Sequence, residues 1–124
     1  MSGERRAARP ASDELRERFG SNLVRCRKRL GISQEQLWFR AEVHKTSLSD
    51  LERGLIIPRI GTVLRIAGAL GVTPNDLVEG IAWKPPEINV TKGSFEVPPD
   101  PELAAEIAAL RAAGRIGASR KRRG

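Results

Sequence analysis

Tyrosine is absent from these 124 residues, and histidine and cysteine each occur once. One cysteine, Cys26, cannot form an internal disulfide, and a single histidine outside any Cys/His cluster leaves no zinc-type ligand set. The chain has no run of about 20 apolar residues, which a membrane span needs, and no apolar signal core of about 7–15. Neither a span nor a secretory leader is expected, so the default location is the cytoplasm. Chemistry is as sparsely provided for. There is no glycine-rich phosphate loop, no evident carboxylate pair and no nucleophile beside a base. The expectation is a protein that is not an enzyme and carries no cofactor and no metal.

What is present is positive charge, unevenly placed. Lys and Arg total 22 against 15 Asp and Glu, a formal +7. Residues 1–12 carry a net +2, residues 13–81 a net +2, residues 82–99 balance, and residues 100–124 carry +3. The two ends therefore hold +5 of the excess on a nearly balanced body. Basic ends favour a polyanion, most often nucleic acid, although short charged tails also serve as solubilising disorder.

Residues 13–81 read as five short helices. The first spans about Asp13 to Leu30, with Ser12 as N-cap and Asp13 and Glu14 in the first turn. Its apolar face is Leu15, Phe19, Leu23, Cys26 and Leu30, which makes Cys26 a small core residue. The second opens with Ser33 and Gln36 spaced for a capping box and runs to Ala41. The third covers about Lys45 to Arg53 and stops at Gly54, and its only apolar residues are Leu48 and Leu51. A fourth follows Pro58, with Ile60, Val63, Leu64, Ala67 and Leu70 along one face. The fifth has Thr73 as N-cap and Pro74 in first place. These short helices and connections predict a compact all-α domain. Around it sit a flexible basic arm (1–12), a Pro-rich linker or short hairpin (82–99) and an Ala-rich helix with a basic tail (100–124). The hairpin would pair INV with SFEV across Thr91-Lys92-Gly93. The last helix carries a thin stripe of Leu103, Ile107 and Leu110.

A helix that buries only Leu48 and Leu51 offers its polar face to something else. Residues 31–54, GISQEQLWFRAEVHKTSLSDLERG, resemble the helix-turn-helix of the Cro/repressor-like (XRE) family. LRIAGALGVTPNDL resembles the last two helices of that family's five-helix, lambda-repressor-like domain. FRAEVHKTSLSDLERG is similar to small bacterial regulators such as the controller proteins of restriction-modification systems. The resemblance implies that the helix from Lys45 enters the major groove of double-stranded DNA, whose base edges present a readable donor and acceptor pattern. It places Lys45, Thr46 and Asp50 at base-facing positions, His44 at the helix entrance, and Ser47 against base or phosphate. Lys donates to guanine, Asp accepts from cytosine, and the Thr methyl meets a thymine methyl. Gln34, at the start of the preceding helix, is implied as a phosphate ligand, and Arg53 and Arg59 are further phosphate candidates. Glu52 is expected to pair with an Arg of the first helix.

The pattern is broken in three places. Trp38 replaces a small residue at the helix crossing, and Glu42 replaces the turn glycine. The loop after ERG is Leu55-Ile56-Ile57 where the family is often basic. Related repressors pair through this region and the last helix, which implies a dimer contact of Leu55, Ile56, Ile57, Leu77 and Ile81. The reading that results is a sequence-specific transcriptional regulator, a repressor binding an inverted repeat as a homodimer. The alternative is an antitoxin that autoregulates through the same domain and seizes a protein partner through residues 82–124.

Overall fold

The computed structural model describes residues 11–89 and 92–113. Most of the basic arm of residues 1–12, the turn residue Thr91 and the tail bearing Arg120, Lys121, Arg122 and Arg123 lie outside the described residues. Within them run α1 (Ala11–Leu30), α2 (Gln34–Ala41), α3 (Lys45–Glu52), α4 (Ile60–Leu70) and α5 (Pro74–Val78). Strands β1 (Ala82–Lys84) and β2 (Ser94–Glu96) and helix α6 (Pro101–Ala112) follow. The expected five-helix domain is therefore joined by a sixth helix and a two-stranded antiparallel hairpin. No helix among the described residues is long and apolar enough to cross a membrane.

Local signals set most helix ends. Ser33 and Gln36 form both halves of the capping box, at 3.0 and 2.8 Å. Thr73 caps α5 ahead of Pro74, with Asp76 Oδ2 accepting from its backbone N–H at 3.1 Å. Ser12 does not cap α1: it lies inside the helix, and its hydroxyl accepts from Arg16 Nη1 at 3.2 Å. Gly54 ends α3 with φ +75, where an added Cβ would also sit 3.0 Å from the Glu17 Cα.

The main core joins α1 to α5. Phe19 and Leu23 of α1, Leu37 of α2, Leu48 and Leu51 of α3, Ile66 of α4 and Leu77 of α5 are almost wholly buried. Two expected faces are displaced. Leu30 is exposed, and so are Ile60 and Leu64, because α4 packs on Val63, Ile66, Ala67 and Leu70 instead. Leu77, expected at a dimer contact, is 0% exposed inside its own protomer and has no surface to offer a second copy. Asn22 is buried beside it, where its amide donates to the carbonyls of Leu77 at 3.0 Å and Glu79 at 2.9 Å. That satisfies the amide and holds the end of α5 against α1.

The hairpin forms in a different register from the one expected. Ala82, Trp83 and Lys84 pair with Glu96, Phe95 and Ser94, while Ile88 of INV is left fully exposed. Trp83 stacks edge-to-face on Phe95 at 5.1 Å, an interaction that fixes this register. Pro85 and Pro86 then end β1, since neither can donate to the ladder. α6 lies on the outer side of α1, where Val24, Leu103, Ile107 and Leu110 make a second small core. Burying such a side chain contributes about 1.5–3 kcal/mol of gross transfer energy. Lys28–Glu106 at 3.5 Å and Arg25–Asp100 at 3.9 Å flank it.

α1 and α3 cross closely enough that only glycine fits at position 20. A Cβ there would lie 2.5 Å from the Leu51 carbonyl oxygen and 2.8 Å from that of Glu52. Gly20→Ala should therefore lower stability by about 1–3 kcal/mol in urea unfolding. A change within about 0.5 kcal/mol would show that the crossing is looser than described.

Candidate nucleic-acid interface

α3 is anchored from behind and open in front. Leu48 and Leu51 are buried, whereas Lys45 and Thr46 are exposed and Ser49 and Asp50 half-exposed. His44 is the N-cap: its Nδ1 accepts from the Thr46 backbone N–H at 3.1 Å, so Nε2 is the ring's donor. The single histidine thus caps α3 at the helix entrance. Glu42 closes the preceding helix in the left-handed region at φ 56, ψ 47. Val43 N–H then returns to the Trp38 carbonyl at 3.0 Å. This is the conformation that makes glycine common in such turns, and a residue with a Cβ holds it at a cost of about 1–2 kcal/mol.

The orientation of α3 is held by a buried carboxylate. Glu52 accepts from Arg27 Nε at 2.6 Å and Nη2 at 3.0 Å, and from Gln34 Nε2 at 2.9 Å. Arg27 Nη1 also donates to the Ile32 carbonyl at 3.0 Å. One acid therefore ties α3 to α1 and to the start of α2, with its charge paired bidentately. The expected pairing of Glu52 with an Arg of the first helix is what the structure shows. Gln34 commits one amide N–H to Glu52 and keeps the other for an outside acceptor.

Five of the expected contact residues share one open cleft of about 460 Å³ between α2 and α3. Gln34, Lys45, Thr46, Asp50 and Arg53 line it, together with Glu35, Trp38 and Ser49. His44 lies instead in a wider depression of about 820 Å³ beyond the turn, shared with Trp38, Phe39 and Lys45. Ser47 lines neither cleft, and Arg59 is an exposed residue at the start of α4. Trp38 and Ser49 are not among the expected contacts. Helical spacing carries the signal for both, since Trp38 is four residues from Gln34 and Ser49 four from Lys45.

The cleft's charges nearly cancel. Lys45 and Arg53 face Glu35 and Asp50, and Arg53 Nη2 donates to Asp50 at 3.0 Å. Such a surface is suited to directional hydrogen bonding more than to general attraction of a polyanion. Leu55, Ile56 and Ile57 are exposed after α3, as are Ile60 and Leu64 of α4, while Ile81 is half-buried on the core. Burial pushes the Cys26 thiol up, with Asp76 adding to it, so the thiol is a packed, protonated group. Among the described residues no cluster of His, Cys, Asp and Glu is placed to hold a metal ion.

The sequence pattern of the helix-turn-helix family matches residues 23–77. Control protein C.BamHI of Bacillus amyloliquefaciens is 35% identical over 69 residues, which cover 55% of this chain and 85% of that protein. The uncharacterised HTH-type transcriptional regulator y4dJ of Sinorhizobium fredii is 38% identical over 65 residues, or 52% of this chain and 84% of its own. Among solved structures, the hypothetical transcription factor NHTF from Neisseria superposes with a TM-score of 0.51 at 29% identity. That superposition covers 56% of this chain and 79% of NHTF.

If the Glu52 tie sets the orientation of α3, Glu52→Ala should destabilise the domain by about 3–5 kcal/mol, because the largely buried Arg27 loses its charge partner. Denaturant unfolding measures this directly. A loss below about 1 kcal/mol, the range of an exposed ion pair, would mean that the tie is incidental.

Proposed function

The chain belongs to the Cro/repressor-like helix-turn-helix family and is a DNA-binding transcriptional regulator, and on that footing we propose that it is a sequence-specific repressor binding an inverted repeat as a homodimer. The observation that carries this reading is the shared cleft. Lys45, Thr46 and Asp50 on the outer face of α3 meet Gln34 at the start of α2, with Leu48 and Leu51 holding the helix from behind. Docked in a major groove, Lys45 donates to guanine, Asp50 accepts from cytosine and Thr46 touches a thymine methyl. Gln34 and Arg53 hold phosphates on the groove's edge, Arg59 and Ser47 extend that contact, and His44 sits at the groove entrance. The likeness to a control protein and to an HTH-type transcriptional regulator supports a regulatory role.

Attraction to DNA comes from elsewhere, because the cleft is nearly neutral. The basic ends of the chain, net +2 over residues 1–12 and +3 over 100–124, supply it by counterion release. Leu55, Ile56 and Ile57, with Ile60 and Leu64, form the surface for the second copy, and half-buried Ile81 is assigned to the same contact. The antitoxin reading relies on a free stripe of Leu103, Ile107 and Leu110. Those residues are buried against Val24, so they are not available to a toxin without undocking α6.

The DNA site is obtained by selecting bound fragments from random duplexes, and the expected result is an inverted repeat. On that site, Lys45→Ala should weaken binding by about 1–3 kcal/mol while leaving scrambled duplex nearly unaffected. Deleting residues 114–124 should weaken both and lower the salt slope by about 0.9 for each phosphate no longer neutralised. Equal weakening on both duplexes for Lys45→Ala, with preference erased by the deletion, would assign reading to the tail. In sedimentation the protein should be a dimer at tens of micromolar, and Ile57→Asp a monomer. A wild-type monomer with and without DNA would remove the dimer from this account.

A further inference from the structure

Trp38 is the aromatic residue of the cleft between α2 and α3, and neither the base-reading nor the phosphate-holding residues account for it. Its ring is half-buried and packs against the main core. A tryptophan so placed ordinarily brings its indole N–H to an acceptor. Among the described residues this N–H finds no acceptor, and the half-buried residue borders open surface. Trp38 lines both depressions flanking the first turn of α3, with Gln34 in one and Lys45 in both. Gln34 and Trp38 are also one helical turn apart and share a face of α2.

When α3 occupies a major groove, the preceding helix crosses the sugar-phosphate backbone beside it. The face of α2 bearing Gln34 and Trp38 then meets phosphate oxygens. An indole N–H is a donor with no acceptor capacity, so a phosphate oxygen complements it and a second donor does not. Resting on the DNA-binding reading above, we propose that Trp38 is a DNA-contacting residue whose indole N–H donates to a backbone phosphate, one turn along α2 from Gln34. A small side chain at this position would have neither the reach nor the donor. The contact is therefore particular to chains that carry tryptophan here.

Trp38→Phe keeps an aromatic ring against the core and removes the N–H. On the selected DNA site it should bind about tenfold more weakly or worse, the scale of a hydrogen bond to a charged group. Its thermal midpoint should stay close to that of the wild type. Methylphosphonate placed at single phosphates of the site then locates the contact. One position should weaken the wild type but leave Trp38→Phe almost unaffected. Affinity within about twofold of wild type, or the same methylphosphonate penalties for both proteins, would overturn the proposal. A second measurement does not depend on the variant's stability. In Trp83→Phe protein Trp38 is the only tryptophan, and its acrylamide quenching should fall on adding the site. Unchanged quenching at saturating DNA overturns the contact while leaving DNA binding intact. Failure of the wild type to prefer any duplex in the selection would instead overturn the parent reading, and this contact with it.

Discussion

The buried carboxylate of Glu52 is the constraint on which the rest of the site depends. It lies at the end of α3, yet its hydrogen bonds go to Arg27 of α1 and Gln34 of α2. Removing a carboxylate from water is costly unless its charge is paired and its lone pairs are occupied, and here three donors meet those needs. The consequence is geometric. The three helices are fixed with respect to one another at the end of α3 remote from Lys45, while Leu48 and Leu51 fix it from the core side. The polar face of α3 and the start of α2 are thereby presented together, as one surface in place of two independent helix faces. The close approach at Gly20 completes this arrangement, because the carbonyls it admits belong to Leu51 and to Glu52 itself.

The segment after α5 adds a second layer on the other side of α1. The family match ends at residue 77, so the hairpin and α6 lie beyond it. Their attachment is modest in area and specific in placement. Val24 enters a cluster with three α6 side chains, and Arg18 donates to the Pro98 carbonyl where the chain leaves the hairpin. This covers apolar surface on α1 without occupying the cleft between α2 and α3. The cleft between α2 and α3 and the apolar loop of residues 55–57 are both left uncovered.

Local chemistry is legible in the sequence, and non-local choice is not. Capping depends on residues three apart, so Ser33 with Gln36 and Thr73 with Asp76 announce two helix starts. The spacing of Leu48 and Leu51 defines which side of α3 is buried, while it is the family resemblance that places Lys45, Thr46 and Asp50 on the open side. Periodicity alone does not say which flank of an apolar stripe meets a neighbour. It points Ile60 and Leu64 inward, whereas Ile66 and Ala69 take those places. Leu77 illustrates the same limit: the pattern marks it apolar, and only the packing of α5 on α1 decides that it is internal. The strand register depends on Trp83 meeting Phe95 across twelve residues of sequence, a contact no short window contains. Asn22 and His44 carry hydrogen bonds decided by where a carbonyl or a helix end comes to rest.

The central claim is that the outer face of α3 reads base edges in the major groove. Methylation interference on the selected DNA site tests it most directly, since guanine N7 lies in the major groove and adenine N3 in the minor. The account predicts that guanine N7 methylation within each half of the site blocks binding, whereas adenine N3 methylation within the same halves does not. Interference confined to adenine N3, with guanine N7 methylation tolerated throughout, would contradict it.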